Sequence, residues 1–403
     1  VIESEKLDRN CTFPDEVFFK QDQRTIQLAN AWFTAQENKV RDNVFESVMA
    51  LHRAFIDAAA DPIRQNLAIF MGSFGTRSLG TRGKDRLIPD LWSTLFFVVP
   101  VVSTTFASMH RMFSRIPVES LGWLLVDEAG QALPQAAVGA LMRVKKAVIV
   151  GDPLQIEPVV SLPETLTEEI CGHFGVEAVR YNAPDASVQT LADSASPYFA
   201  RFPSGVGYRD VGMPLLVHRR CDSPMFEISN DIAYSNFMVQ GKKANTEHLP
   251  CGPSRWIDIK GRSGPDKWCE DEADALIGLL GQMRSSEVKP DFYIVTPFRV
   301  VQFNLRDRLV ESRVLNGWVE NPRKFVDDHV GTVHTVQGRE ANTVFFVLGA
   351  QDMSQHGARS WAGGSPNLAN VAVTRAKSAF YVIGNRERWK TAGVFETLDK
   401  LLV

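Results

Sequence analysis

At 403 residues the chain is too long for one compact domain and long enough for two or three. Its 44% hydrophobic and 23% charged content is that of a folded globular chain, and its longest apolar run, residues 95–102, contains Pro100 and falls far short of a membrane span. A net charge of −3 excludes nucleic-acid binding by bulk charge, so any such binding must rest on local patches. The polar N-terminus VIESEKLDRN carries no signal-peptide pattern, and its first residue, Val rather than Met, suggests a fragment of a longer protein. The 5 cysteines are scattered with no C-x-x-C pair, which reads as reduced thiols of a cytoplasmic protein and does not fit a zinc site.

In chain order, residues 15–71 space their apolar side chains at three and four, predicting helices. A Gly-rich basic segment, GSFGTRSLGTRGKDR, follows. From about residue 92 short apolar runs alternate with helical segments: LFFVVPVVST, WLLVDE, AVIVGD, FYIVTP, GTVHT, TVFFVLG and AFYVIGN. Each is nearly continuous, as expected for strands buried on both faces of a parallel sheet. Most end in polar or Gly residues, where an open α/β sheet places its site. Residues 183–213, rich in Ala, Ser, Pro and Gly, read as the connection between two α/β domains. The expected organisation is a helical segment over 1–90, one α/β domain over 91–205 and a second over 206–403.

Two strand ends carry chemistry. WLLVDE delivers Asp127 and Glu128 together. The first suits Mg²⁺, a hard cation that keeps much of its water, and the second suits activation of a lytic water. A lone Asp-Glu pair is more often a surface strand end. However, AVIVGDPLQ follows about 25 residues on with Asp152 and Gln155, whose amide can read a phosphate and a water at once. Two such strands aim D-E-x-x-Q and G-D-x-x-Q at one spot.

VDEAGQ and GDPLQIEPV resemble motifs II and III of superfamily 1 helicases, in the branch of the nonsense-decay RNA helicase and the replication helicase-nucleases. VVSTTFAS, with Ser103, Thr104 and Thr105, resembles that family's nucleic-acid-contacting motif Ic; small hydroxyls suit phosphate contacts. LLVHRRCDSPMFEISNDIAY resembles the motif around a catalytic arginine, with Arg219 at that position and His218 and Arg220 where Tyr and Met are better known. This HRRC variant is similar to that of large bacterial members. FYIVTPFRVVQ resembles the next strand-and-turn motif, with Gln302 on the helix after it. GTVHTVQGREANTVFFVLG resembles motif V. By that resemblance Gln337, Gly338 and Glu340 face the nucleotide, Glu340 toward the ribose hydroxyls, and Thr332, His334 and Thr335 face the nucleic-acid backbone. NVAVTRAKSAFYVIGN resembles motif VI, making Arg375 a second arginine and Lys377 a packing residue or loose phosphate contact. The resemblance covers about residues 96–160 and 214–385. It implies two RecA-like parallel-sheet domains, the first incomplete, closing on ATP and Mg²⁺ and moving 5′-to-3′ along single-stranded DNA or RNA.

The pattern departs at one point. The family needs G-x-x-x-x-G-K-[ST], whose Lys and hydroxyl hold phosphates and Mg²⁺. Neither G-K pair fits: Gly83-Lys84 has Ser78 five before the glycine and Asp85 after the lysine, with no apolar strand leading into it, and Gly241-Lys242 has Asn236 and Lys243 at the same two places. An N-terminal truncation that removed the phosphate loop is the expectation, leaving a fragment nearly inactive toward ATP. The rival reading is a degenerate helicase serving as a nucleic-acid clamp or scaffold. A small-molecule NTPase is a poorer third, because it needs no paired arginine motifs.

Overall fold

The computed structural model describes residues 14–29, 34–75, 84–204, 207–242, 249–261, 264, 266–336 and 338–403. The chain divides into two compact units. Unit 1 comprises Val1–Gly151 and Val159–Leu191, and unit 2 comprises Asp152–Pro158 and Ala192–Val403. The class is α/β with parallel sheets, as the sequence predicts. Among the described residues no helix is long and apolar enough to cross a membrane.

In unit 1 the helical stretch resolves into Glu16–Phe19, Gln23–Leu28, Ala35–Ala58 and Ala60–Gly75. The third begins with a capping box: the Thr34 hydroxyl accepts from the Glu37 N–H at 3.1 Å, and the Glu37 carboxylate accepts from the Thr34 N–H at 2.8 Å. The run LFFVVPVVST is not a strand, contrary to expectation. The helix Ile88–Val98 covers its first half, and residues 99–105 have no regular structure. Ile88, Leu91 and Trp92 are buried and Leu95 and Phe96 pack beside them, a spacing of i, i+3, i+4, i+7, i+8 that is helical. The stripe begins upstream of the apolar run, and an apolar run taken alone does not separate buried helix from buried strand. Trp92 anchors this cluster, 4.9 Å from Phe70 and 4.5 Å from Phe113 between ring centroids.

Strands β1 (Leu121–Val126) and β2 (Val144–Ile149) pair in parallel, Val126 opposite Ile149. They are not buried on both faces: Trp123 and Leu125 are 63% and 67% exposed. Residues 183–213 hold the helix Val188–Ala195 and an antiparallel ribbon of β3 (Ala200–Ser204) and β4 (Gly207–Val211), rather than a bare connection.

Unit 2 also contains β5 (Val217–His218) and β6 (Val239–Gln240), a short parallel pair. Its main sheet is all parallel, in the order β7 (Arg255–Asp258), β11 (Ala376–Gly384), β10 (Ala341–Val347), β8 (Phe292–Thr296), β9 (Val330–Thr332). Central strands of such a sheet must be apolar on both faces, and Val344 to Val347 and Phe380 to Ile383 are buried throughout. The helix Glu270–Ser285 lays Ala273, Leu276, Leu280 and Met283 on the core at helical spacing, with Glu270 and Asp271 in its first turn where the helix dipole favours negative charge.

Trp389 closes the core. It is fully buried, its ring lies 4.6 Å from Phe395, and its Nε1 donates to the Gly349 carbonyl at 2.9 Å. Trp389→Ala removes that volume and leaves the carbonyl without this donor. The expected loss is about 3–5 kcal/mol of unfolding free energy, read from urea denaturation monitored by circular dichroism.

Candidate functional site

In unit 1 the end of β1 bears the two carboxylates. Asp127 is exposed, and one of its oxygens accepts from the Glu128 N–H at 2.9 Å. Glu128 has φ 54° and ψ 38°, the left-handed region, and heads the short 3₁₀ turn Ala129–Gln131. A non-glycine residue held there is strained, and such strain gathers at functional sites. The Gln131 amide donates to the Glu128 carboxylate at 3.0 Å and fixes its direction. The end of β2 is drawn against this turn, for a Cβ on Gly151 would lie 2.6 Å from the Gly130 nitrogen and 2.7 Å from the Ala129 nitrogen. The glycine of the second motif is therefore required by backbone approach to the first.

The donor set suits Mg²⁺ that retains its water. Among the described residues no group of three or more His, Cys, Asp or Glu side chains is placed to hold a metal ion. One or two carboxylates plus substrate oxygens are the usual Mg²⁺ complement. Ser103, Thr104 and Thr105 form an exposed stretch before the helix Phe106–Phe113, whose first residue is preceded by Thr105 without a side-chain cap bond.

Asp152 and Gln155, although they follow β2 in sequence, belong to unit 2. Ile156 is buried in that unit's core. Asp152 stabilises its own turn, accepting from the Leu154 N–H at 2.9 Å and from the Gln155 amide at 3.2 Å, and it accepts from the Tyr234 hydroxyl. Burial and the Asp152 carboxylate push the Tyr234 phenol well above its ordinary value, so it stays a donor. Asn370 fastens the same turn, donating to the Leu154 carbonyl and to the Tyr234 oxygen, each at 3.0 Å.

Arg375 is 2% exposed and reaches Gln155 Oε1 at 3.4 Å, Thr374 Oγ1 at 3.4 Å and the Arg339 carbonyl at 3.2 Å. Next to it, Glu340 holds Arg220 Nε at 2.8 Å and Lys377 Nζ at 2.6 Å. The Lys377 hydrogen bond, followed by the charge of Arg220, keeps the Glu340 carboxyl below its ordinary range. Both carboxylate oxygens thus have a protein partner, and each keeps a lone pair with which it could still accept from a hydroxyl. Arg220 also donates to the Thr374 carbonyl at 3.3 Å.

Arg219, the residue predicted for this position, is exposed and lies outside the gathered group. Arg220 is the arginine that sequence reasoning missed. Its aim is set by His218, whose Nε2 accepts from the Cys221 N–H at 3.0 Å, with burial holding the imidazole down to about 4 and therefore neutral at neutral pH. Cys221 is buried, so the turn is anchored on the core side and Arg220 projects beside Thr374.

Of the remaining predicted residues, Gln337 lies outside the described residues, as does Gly83. Gly338 has φ +74° with open space around it, so its conformation rather than a close neighbour requires glycine. Thr332 is buried, against the expectation that it faces a ligand, while His334 and Thr335 are exposed. Partial burial and the nearby Arg299 lower the His334 imidazole below its ordinary value. Gln302 is buried at 7% exposure.

A profile described as AAA domain matches residues 209–387, and a second with the same description matches residues 90–162. The chain is 25% identical over 265 residues to an uncharacterized ATP-dependent helicase, MG140, of Mycoplasma genitalium, covering 63% of this chain and 22% of that protein. It is 26% identical over 279 residues to the ATP-dependent helicase upf1 of Schizosaccharomyces pombe, covering 65% of this chain and 26% of the relative. It is 24% identical over 297 residues to the DNA replication ATP-dependent helicase/nuclease DNA2 of Gallus gallus, covering 71% and 25%. The chain thus spans about a quarter of the length of these relatives. Among solved structures, an arterivirus nonstructural protein 10 helicase in complex with DNA aligns with 67% of this chain and 41% of its own at 14% identity and a TM-score of 0.30.

Proposed function

The chain belongs to the Upf1-like branch of superfamily 1 helicases, and from this we propose that it forms part of an ATP-driven motor on single-stranded DNA or RNA. On this reading residues 91–205 are the rear of one RecA-like motor domain, residues 206–403 are the second and residues 1–90 are a helical accessory segment, although residues 152–158 and 192–205 pack with unit 2. One observation carries the reading. Gln155, Arg220, Glu340, Arg375 and Lys377, from four separate stretches of sequence, form one hydrogen-bonded and ion-paired group in unit 2.

When bound, ATP supplies the phosphoryl group and Mg²⁺ neutralises its charge. Asp127 would hold the cation, and Glu128 would take the proton of the lytic water. Gln155 reads the terminal phosphate with its amide. Arg220 and Arg375, permanently charged and forked, stabilise the charge that builds in the transition state. Arg220 takes the role that the motif resemblance gave to Arg219. Asp152 and Glu340 position these groups. Ser103, Thr104 and Thr105, with His334 and Thr335, bind the phosphodiester backbone.

Expression of the complete reading frame tests this reading. The intact protein is expected to hydrolyse ATP with Mg²⁺ and single-stranded nucleic acid, and Glu128→Gln to lower kcat by about 10²–10⁴-fold. No hydrolysis by the intact protein would leave the non-catalytic clamp as the better account. The 403 residues alone contain no G-x-x-x-x-G-K-[ST] and are expected to hydrolyse ATP hardly at all.

A further inference from the structure

The ends of β8, β9 and β10 bring a second group of side chains to one edge of the unit 2 sheet. Phe298 and Arg299 follow β8 directly, and Arg299 opens the helix Arg299–Ser312. One turn on, Phe303 is 59% exposed and shares the helix face of Arg299. The backbone after β9 is tied to the end of β8, the Val333 N–H donating to the Thr296 carbonyl at 3.3 Å, so exposed His334 stands near Arg299. The backbone after β10 is tied to residue 267, the Ala350 N–H donating to the Lys267 carbonyl at 2.9 Å. Lys267 lies over the Phe298 ring at 5.6 Å. Trp361, 57% exposed on the helix His356–Gly363, lies 6.0 Å from the same ring at an interplanar angle of 34°.

A Trp and a Phe left open beside three cationic or titratable groups do not describe a hydrophobic core. Flat apolar faces interleaved with cations are what unstacked bases and phosphates require. Asp352, five residues beyond β10, is the nearby carboxylate, one oxygen of which accepts from the Ser354 N–H and hydroxyl at 2.8 and 2.6 Å. We propose that this edge is a base-stacking platform for single-stranded nucleic acid. Trp361 stacks on a base, supported from behind by Phe298, and Arg299 pairs with the adjoining phosphate. The platform continues the His334–Thr335 backbone contact, and it rests on the nucleic-acid reading above.

The test uses the 403-residue chain and a fluorescein-labelled oligothymidylate of about 12 nucleotides, a length within known single-strand site sizes. Fluorescence anisotropy is measured at about 50 mM salt, where phosphate contacts are strong. Trp361→Ala is expected to raise Kd about 5–150-fold and Trp361→Phe to restore most of the affinity. Arg299→Gln is expected to lower the slope of log K against log salt by about 1. The same oligonucleotide carrying 5-iodouracil is expected to crosslink to Trp361. If the wild-type chain binds while Trp361→Ala binds equally well and no crosslink maps there, the platform is wrong and the nucleic-acid reading stands. If the wild-type chain binds no oligonucleotide, both fall. Trp361 is surface-exposed, so its replacement is not expected to unfold the chain, and unchanged circular dichroism would confirm this.

Discussion

Arg220→Ala, in the protein from the complete reading frame, is expected to lower kcat for ATP hydrolysis by about 10³-fold or more, the scale of a missing arginine at a transferring phosphoryl group. Arg219→Ala is expected to leave kcat close to wild type. The contrast follows from one turn of backbone. His218 caps the Cys221 N–H, Cys221 is buried, and the intervening Arg220 meets Glu340 and the Thr374 carbonyl beside Arg375. Arg219 is turned outward on the same turn. Arg220→Lys should rescue little, because an ammonium cannot both pair with Glu340 through Nε and reach onward with a planar fork. A steady-state assay that separates kcat from KM decides the matter. Loss in Arg219→Ala with retention in Arg220→Ala would reverse the assignment.

The second large effect concerns Glu272, which is completely buried in unit 2. Its oxygens accept from the Gly349 N–H at 2.7 Å and from the Gln351 amide at 2.6 Å, and Gln351 in turn accepts from the Gly261 N–H at 2.7 Å. Those donors favour the carboxylate, but burial outweighs them and raises the group from 4.5 to about 8. Between these two values the folded chain holds a proton that the unfolded chain has lost. Unfolding therefore releases a proton, and stability declines as pH rises through this window, by at most about 1.4 kcal/mol per pH unit. The contribution is complete below 4.5 and gone above about 8. Urea denaturation at a series of pH values should show the decline in wild type and lose it in Glu272→Gln. At low pH the amide variant is expected to lie close to wild type in stability, because the protonated acid already presents an O–H donor to one of its two donating neighbours. An unchanged slope in Glu272→Gln would assign the pH dependence to another group.

The strands of the main sheet were legible because β8, β10 and β11 are apolar on both faces, a demand that only a covered parallel sheet makes. β7, with the sequence RWID, was not, because an edge strand of four residues with charged ends lacks that signature. The helix Ile88–Val98 was hidden by its own apolar tail, whereas its periodicity is plain once Ile88, Leu91 and Trp92 are included. For the candidate site, the residue types and their strand ends could be read from the sequence. Which of two adjacent arginines points into the group could not, since β5 is two residues long and neighbouring side chains on extended backbone diverge. Nor could the attachment of residues 152–158 to unit 2, which depends on Ile156 joining a core assembled mostly from residues beyond 220.

Glu128 is one of eight described non-glycine residues with positive φ. Its left-handed backbone is one that glycine or asparagine adopts more cheaply, by roughly 1 kcal/mol. Glu128→Gly should therefore relieve strain while removing the proposed base. A chain released from catalysis would gain stability by drifting to that residue. Glu119, Glu287 and Arg313 carry a similar φ with no proposed role, so the strain at Glu128 gains meaning only from its place at the end of β1.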